Sequence, residues 1–147
     1  MKLSTDNRKF VFPVRVYYED TDAGGVVFYA NYLKFCERAR TEWLRKLGFD
    51  QSKLDSELGI IFVVADTSLT YKKPAKLDDI LSIHTIVESM GKASIVFTQD
   101  VYRDNELLVK SRITVCCIKR DGFRPSAIPE SVRLSFESVM SPRITNE

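Results

Sequence analysis

One segment of the chain has the period of a long amphipathic helix, and that helix restricts the folds open to the rest. Its apolar residues recur at spacings of three and four: Tyr32, Phe35, Cys36, Ala39, Trp43 and Leu47. This period predicts a helix from about Asn31 to Leu47 with one broad apolar stripe. Gly48 favours its end, and Asn31 resembles an N-cap residue. A stripe of that width must be buried against another element of the fold.

The remainder of the chain is mostly strand-like. Four later segments are rich in β-branched and aromatic residues: 60–73, 80–90, 93–103 and 106–120. That composition favours strands, and the short connections between the last three predict an antiparallel meander. We expect a short helix with a capping box at Ser52 and Asp55 before the first of these strands. Another short helix is expected between Pro129 and Val139.

An earlier strand precedes the long helix, in the segment "FPVRVYY" at residues 12–18. One face of its alternating pattern is formed by Phe12, Val14, Val16 and Tyr18. Pro13 indicates that this strand begins near the edge of a sheet. The pattern of elements therefore predicts an α+β fold, in which a curved antiparallel sheet of five strands wraps around the one long helix. The whole chain, residues 1–147, is expected to form this single domain.

Composition excludes several classes of protein. Hydrophobic residues make up 44% and charged residues 29% of the 147 residues, which is typical of a soluble globular protein. No apolar run approaches the roughly 20 residues of a membrane span. The N-terminus lacks the apolar region of a signal peptide, so we expect the protein in the cytoplasm. A net charge of +2 with interspersed signs disfavours a nucleic-acid-binding protein.

Neither a metal site nor a cofactor is expected. The chain has three cysteines and one histidine, His84, but no CxxC motif, which disfavours a structural zinc site. Cys116 and Cys117 are adjacent and would point to opposite faces of a strand. We therefore expect reduced, buried thiols and a structural role for His84.

The segment "YYEDTDAGGVVFYANYLKFCERAR", residues 17–40, places Asp20 and Asp22 beside Gly24 and Gly25, just before the helix. A helix N-terminus offers unpaired N–H groups and the positive end of a dipole, and the glycines permit close approach of the backbone to a ligand. A carboxylate here would act as a nucleophile or a general base. It would equally serve as an Asx-turn residue. A turn or solvent role is favoured for Asp20.

The order of elements and the stretch "YYEDTDAGGVVFYANYLKFCERARTEWL" resemble the hotdog-fold acyl-CoA thioesterases. The bacterial Tol–Pal-associated (YbgC-type) branch, related to 4-hydroxybenzoyl-CoA thioesterase, is the most similar. The resemblance covers nearly the whole chain, including "YKKPAKLDD" at 71–79 and "RPSAIPES" at 124–131. It implies a hotdog fold and the hydrolysis of the thioester of a short- or medium-chain acyl-CoA, or of an acyl group on an acyl carrier protein, to a free acid and a thiol.

The resemblance also implies roles for individual residues. Asp22 matches the catalytic carboxylate, and Tyr18 matches a tyrosine near the site. Tyr29 matches a residue at the helix start whose backbone N–H polarises the thioester carbonyl, which requires the helix to open near Phe28 or Tyr29. Much of the Tol–Pal branch has histidine here, in "VVYHA", whereas this chain reads "VVFYA". The backbone role survives this change, because every residue except proline has an N–H.

Coenzyme A carries phosphates, so basic side chains should line its path. Lys92 and Ser94 lie at a turn between two strands where related enzymes contact CoA. Gly24 and Gly25 complete the expected substrate contacts. The family typically pairs exposed strand edges to form dimers and often dimers of dimers, so we expect a homo-oligomer with residues from two chains in each site.

Alternative functions remain open at this point. Tyrosine at position 29 is closer to the hydroxybenzoyl enzymes, which favours an aromatic acyl-CoA thioesterase. A non-catalytic protein that binds CoA or an acyl carrier could use the same fold. A hotdog dehydratase would need a histidine near the helix start, and this segment has none.

Overall fold

The computed structural model describes residues 8–140. The elements follow in chain order: β1 (Phe10–Arg15), a 3₁₀ turn (Tyr18–Asp20), α1 (Asn31–Lys46), α2 (Gln51–Lys53) with a π-helical continuation (Leu54–Leu58), β2 (Ile60–Tyr71), β3 (Ile80–Met90), β4 (Ser94–Arg103), β5 (Glu106–Lys119) and α3 (Glu130–Val139). The predicted long helix, four later strands and C-terminal helix are all confirmed.

The strands form one antiparallel five-stranded sheet in the order β1-β3-β4-β5-β2. The pairs β3–β4 and β4–β5 form the predicted meander. The strand β1 pairs with β3 at one edge, where Pro13 lies opposite Ser82, and β2 pairs with β5 at the other edge. The predicted edge position of the proline-containing strand is confirmed.

The core lies between the apolar stripe of α1 and the inner face of the sheet. The buried stripe consists of Tyr32, Phe35, Cys36, Ala39, Trp43 and Leu44. The inner face contributes alternate residues of the three central strands: Leu81, Ile83, Val87, Ile95, Phe97, Val101, Ile113 and Val115. The curved sheet wraps around α1, so the expected hotdog architecture is confirmed. The three cysteines are free thiols; Cys36 and Cys117 are buried as expected, whereas Cys116 is only half-buried.

Two local predictions were wrong. The strand β1 ends at Arg15, so Tyr18 does not continue its inward face but opens the 3₁₀ turn. The second helix is capped by Asp50, whose side chain accepts a hydrogen bond from the Ser52 N–H. Ser52 is therefore inside the helix, and the capping box predicted at Ser52 and Asp55 does not form.

Candidate active site

Asp20 anchors the loop that joins β1 to α1. Its side chain is 8% exposed, and Oδ2 accepts a hydrogen bond from the Tyr17 N–H at 2.9 Å. Its carbonyl oxygen accepts from the Phe28 N–H at 3.0 Å and from the Asn31 side-chain amide at 2.8 Å. Asp20 therefore has the turn role favoured from sequence, although it is buried rather than solvated. Asn31 donates instead of accepting, so the prediction that it caps α1 is wrong.

Beyond Asp20 the chain makes a small hairpin that carries the second aspartate. Thr21 pairs with Val27, and the Asp22 N–H donates to the Val26 carbonyl at 2.9 Å. The Gly25 N–H donates to the Asp22 carbonyl at 3.0 Å. Gly25 has φ of +82°, a left-handed conformation that glycine adopts without strain. The two glycines thus allow a turn tight enough to hold Asp22 at its base.

The Asp22 side chain is exposed, and only one of its two carboxylate oxygens accepts a hydrogen bond from the described part of the chain. Its Oδ1 accepts a hydrogen bond from the Gly24 N–H at 2.8 Å, which is an Asx-turn contact. A Cβ at position 24 would lie 3.3 Å from this oxygen, so a side chain there would crowd it. Within residues 8–140, Oδ2 has no hydrogen-bond partner. The turn role and a chemical role are therefore compatible, because they use different oxygens.

The Tyr29 amide lies at the entrance to α1. Turns with hydrogen bonds between residues three apart lead into α1. The Asn31 N–H donates to the Phe28 carbonyl at 2.8 Å, and the Tyr32 N–H donates to the Tyr29 carbonyl at 3.4 Å. No acceptor for the Tyr29 N–H itself exists in the described part of the chain. This N–H is one of the unpaired donors of a helix N-terminus, where the dipole favours negative charge.

An aromatic cluster surrounds this end of the helix. The Tyr29 ring is 62% exposed and lies 4.9 Å from the Phe28 ring and 6.2 Å from the Tyr71 ring. The Tyr71 hydroxyl donates to the Tyr29 carbonyl at 3.2 Å, and burial raises the pKa of Tyr71. The sequence does not predict a role for Tyr71. Only its position at the end of a strand, just before "KKPAKLDD", could have indicated a site residue.

Tyr18 stands apart from that cluster. Its ring is 82% exposed, and its hydroxyl has no hydrogen-bond partner among residues 8–140. The backbone carbonyl of Tyr18 accepts from the Thr21 hydroxyl at 2.7 Å, which fixes the 3₁₀ turn. The Tyr18 side chain is thus exposed to solvent and not packed against this chain.

Lys92 and Ser94 lie at the other end of the sheet from Asp22. The loop that carries Asp22 is tied to the start of β3, because the Val16 N–H donates to the Asp79 carbonyl at 2.9 Å. Lys92 follows the end of β3, and a strand of 11 residues spans about 35 Å. The structure therefore places Asp22, Tyr18, Tyr29 and the two glycines in the one segment before α1, and the two predicted CoA contacts at the opposite end of the sheet.

Two open cavities flank α1. One, of ≈ 430 Å³, lies between α1 and the strands β2 and β5, and it is lined by Leu33, Lys34, Glu37, Arg40, Thr41, Gln51, Phe62, Val63, Val64, Thr67, Ile113 and Val115. The other, of ≈ 380 Å³, lies beside β1 and the 3₁₀ turn, and it is lined by Phe12, Pro13, Val14, Arg15, Tyr17, Glu19, Asp20 and Arg38. Neither lining includes Asp22 or Tyr29.

His84 lies in the middle of β3 and stacks on Tyr102 at 4.4 Å, away from the loop that carries Asp22. Its partial burial lowers its pKa. Within residues 8–140, no three His, Cys, Asp or Glu side chains are arranged to hold a metal ion. No helix in that part of the chain is both long and apolar enough to cross a membrane.

Comparisons with known proteins are consistent with this geometry. A model of the thioesterase superfamily matches residues 24–110. The acyl-CoA thioesterase YbgC of Haemophilus influenzae is 47% identical over 127 residues, which are 86% of this chain and 93% of that protein. The acyl-CoA thioester hydrolase YbgC of Escherichia coli O6:H1 is 46% identical over 87% of this chain and 96% of its own length.

A solved structure agrees with the sequence matches. The crystal structure of a probable thioesterase from Bartonella henselae superposes with a TM-score of 0.79 at 33% identity, covering 82% of this chain and 99% of that one. The similarity in fold and in sequence thus extends over most of the described residues.

Proposed function

This chain belongs to the thioesterase superfamily, and from that premise we propose that it hydrolyses the thioester of short- or medium-chain acyl-CoA, or of an acyl carrier protein. It is a thioester hydrolase by its family. The products of the proposed reaction are a free acid and a thiol. The proposal assigns the chemistry to the loop between β1 and α1.

One observation carries this assignment. The Asp22 Oδ2 and the Tyr29 N–H both lack a hydrogen-bond partner among residues 8–140. Asp22 follows the first residue of the hairpin closed by the Thr21–Val27 pair, and Tyr29 comes two residues after the last. A thioester carbonyl between them would meet a carboxylate on its carbon and a donor on its oxygen. Such a donor, aimed at the developing oxyanion, contributes about 2.7–4 kcal/mol to catalysis.

Two mechanisms are compatible with this arrangement. As a nucleophile, Asp22 attacks the carbonyl carbon, and the C–S bond breaks to give a mixed anhydride and a thiolate that takes a proton from water. A second water then hydrolyses the anhydride. As a general base, Asp22 instead takes a proton from the attacking water and returns it to the leaving thiolate. In both mechanisms the Tyr29 N–H holds the oxyanion, while Tyr18 and the backbone at Gly24 and Gly25 contact the substrate.

A second candidate function is favoured by the aromatic cluster. The rings of Phe28, Tyr29 and Tyr71 lie together at the helix start, and aromatic rings pack favourably on one another. A benzoyl-type acyl group would stack there. The alternative is therefore an aromatic acyl-CoA thioesterase that uses the same carboxylate and the same amide.

We propose in addition that the protein acts as a homo-oligomer, as a dimer or a dimer of dimers. Within the described residues, β1 and β2 are the edge strands of the sheet, and an edge invites pairing with another copy. Lys92 and Ser94 would then contact CoA in a site whose Asp22 belongs to another copy. Light scattering on the purified protein measures the mass; a monomer at micromolar concentration would contradict this proposal.

The proposed function is tested by the release of free thiol from butyryl-CoA, octanoyl-CoA and benzoyl-CoA, together with an octanoyl acyl carrier protein. Faster release from the aliphatic CoA esters than from benzoyl-CoA supports the main proposal. A strong preference for benzoyl-CoA moves the assignment to the aromatic alternative. If no ester releases thiol while the protein still binds CoA, the chain is a binding protein of this fold and the proposal is wrong.

A further inference from the structure

The β2–β3 loop, residues 72–79, contacts both the hairpin that carries Asp22 and the start of α1. At the end of the hairpin, the Val27 N–H donates to the Ala75 carbonyl at 2.8 Å. The Ala75 N–H in turn donates to the Tyr32 hydroxyl at 3.0 Å, and Tyr32 lies in the first turn of α1. The backbone of Ala75, which is fully buried, therefore links the hairpin to the helix.

Arg103 holds this loop on both sides of Ala75. Its Nη1 donates to the Pro74 carbonyl at 3.3 Å and to the Asp79 Oδ2 at 2.8 Å. The same oxygen of Asp79 accepts a hydrogen bond from the Lys76 N–H at 2.8 Å. One guanidinium nitrogen thus fixes the residue before Ala75 directly, and it fixes the residue after Ala75 through Asp79.

The position of Arg103 in the sheet makes it a firm support for the loop. Arg103 is the last residue of β4, which is the central strand of the sheet. Its Nη2 donates to the Glu106 Oε1 at 2.8 Å, so the guanidinium bonds three acceptors at once. A guanidinium has a planar set of five donors that suits such an arrangement, whereas the ammonium of lysine has the charge without this geometry.

We propose that Arg103 is a positioning residue that fixes the hairpin carrying Asp22 relative to the start of α1, and this inference rests on the proposed hydrolysis at Asp22 and Tyr29. Arg103 acts through the β2–β3 loop and does not touch the substrate. The reaction needs a carboxylate and an N–H from two segments in one geometry, and a misplacement of about 1 Å can lower the rate about 100-fold. Arg103 therefore contributes to kcat by limiting such shifts.

The test compares kcat and KM for butyryl-CoA in the wild type and in Arg103→Ala. We expect kcat to fall about tenfold or more. The KM should stay close to that of the wild type, because Lys92 and Ser94, the proposed CoA contacts, lie at the opposite end of the sheet. Arg112→Ala is the matched control: Arg112 also makes a bidentate ion pair, with Glu88 at 2.9 and 3.0 Å, and its loss should leave kcat unchanged.

Chemical rescue separates positioning from a general loss of stability. The Arg103 side chain is 25% exposed, so guanidinium ions from solution can enter the gap in Arg103→Ala and bond the same acceptors. We expect guanidinium chloride, well below denaturing concentrations, to restore part of kcat, and ammonium chloride at the same concentration to restore none. A variant that is merely destabilised would lose further activity, because guanidinium favours the unfolded state.

Two results would overturn the inference while the proposed function stands. One is an unchanged kcat in folded Arg103→Ala, and the other is a loss of kcat that guanidinium does not restore. If Arg103→Ala does not fold, Arg103→Lys takes its place, since it keeps the charge and most of the side chain. We expect Arg103→Lys to lose kcat with little change in melting temperature; full kcat in this variant would equally contradict the role of Arg103.

Failure of the proposed function is separated by amide hydrogen exchange, which needs no hydrolysis. In Arg103→Ala, peptides that cover residues 21–27 and 72–79 should exchange faster than in the wild type, while those from α1 should not. Faster exchange in a protein that hydrolyses no ester would keep the role of Arg103 and reject the proposed function. Equal exchange in the two proteins would reject the role of Arg103, whether or not any ester is hydrolysed.

Discussion

At the centre of the sheet, Gln99 has a partner for each polar group of its side chain, whereas Asp22 and Tyr29 in the loop before α1 do not. The Gln99 amide nitrogen donates to the Cys36 carbonyl at 2.9 Å and to the Thr85 hydroxyl at 3.0 Å, and its oxygen accepts from Arg40. Buried polar groups are costly unless they are paired. The paired groups around Gln99 therefore stabilise the fold, while the loop before α1 leaves a carboxylate oxygen and an N–H unpaired, within the described residues, where we propose that the substrate binds.

Within the loop, one aspartate is buried and paired, and the other is exposed. Asp20 is buried and holds the loop through both its carboxylate and its carbonyl. Asp22 is exposed and uses one oxygen for the turn. Asp20 thus resembles the paired groups around Gln99, and Asp22 resembles the unpaired groups of the loop. Variants of the two aspartates therefore separate effects on stability from effects on activity.

The largest expected effect comes from Asp22→Asn. Asparagine keeps the oxygen that accepts the Gly24 N–H, so the turn survives, but it is neither a nucleophile nor a base. We expect kcat for butyryl-CoA to fall about 10³-fold, with little change in melting temperature. Thiol release and thermal unfolding measure the two quantities. Full activity in Asp22→Asn would remove this residue from the reaction.

The converse change is Gln99→Leu, which removes the hydrogen bonds of the buried Gln99 side chain. It leaves the Arg40 guanidinium and the Thr85 hydroxyl without a buried partner, so we expect the free energy of unfolding to fall by about 2–4 kcal/mol. Urea unfolding measures this loss. The kcat for butyryl-CoA of the folded variant should stay close to that of the wild type. A loss of kcat with normal stability would mean that Gln99 contributes to activity rather than to the fold.

A smaller effect is expected from Lys92→Ala, which tests whether sites combine two chains. Loss of a phosphate contact should raise KM for butyryl-CoA about tenfold with kcat nearly unchanged. Mixed oligomers of Lys92→Ala and Asp22→Asn subunits contain sites with an intact Asp22 from one copy and an intact Lys92 from the other. These sites should regain the wild-type KM, and mixtures that show only the raised KM would place both residues in one chain.

The smallest effect concerns Glu106, which is paired but exposed. Lys73 and then Arg103 lower its pKa from 4.5 to about 2 in the folded protein, with contacts of 2.7 and 2.8 Å. Because the folded pKa is depressed, its contribution to stability is full above about pH 4.5 and is lost as the pH falls toward 2. We expect Glu106→Gln to flatten the dependence of unfolding free energy on pH in that window. A dependence that matches the wild type would mean that the ion pairs do not form in solution.

The fold could be predicted from sequence because its signals are local periods. The three- and four-residue spacing from Tyr32 to Trp43 and the alternation of the later strands both reflect burial on one face; the predicted stripe missed Leu44, which is buried, and included Leu47, which is only half-buried. Errors occurred where one hydrogen bond decides the outcome. Asn31 and Ser52 each fit a cap by residue type. In the fold, however, the Asn31 side chain donates to the Asp20 carbonyl, and the Ser52 N–H and hydroxyl both donate to the Asp50 side chain.

The candidate site could be predicted only in part. Asp22, Tyr29 and the two glycines lie in one continuous segment, so a motif reveals them together. Tyr71 reaches the Tyr29 carbonyl from the end of β2, and no local sequence pattern indicates that proximity. The separation of Lys92 from Asp22 is likewise a property of strand length and topology rather than of residue type.

The most direct test of the central claim is a crystal structure with a CoA analogue in which a ketone replaces the thioester carbonyl. If Asp22 and Tyr29 form the reaction centre, the ketone oxygen lies about 3 Å from the Tyr29 nitrogen. An Asp22 carboxylate oxygen, or a water held by it, then faces the ketone carbon from the other side. A ketone bound with its oxygen away from Tyr29, and its carbon out of reach of Asp22, would contradict the account.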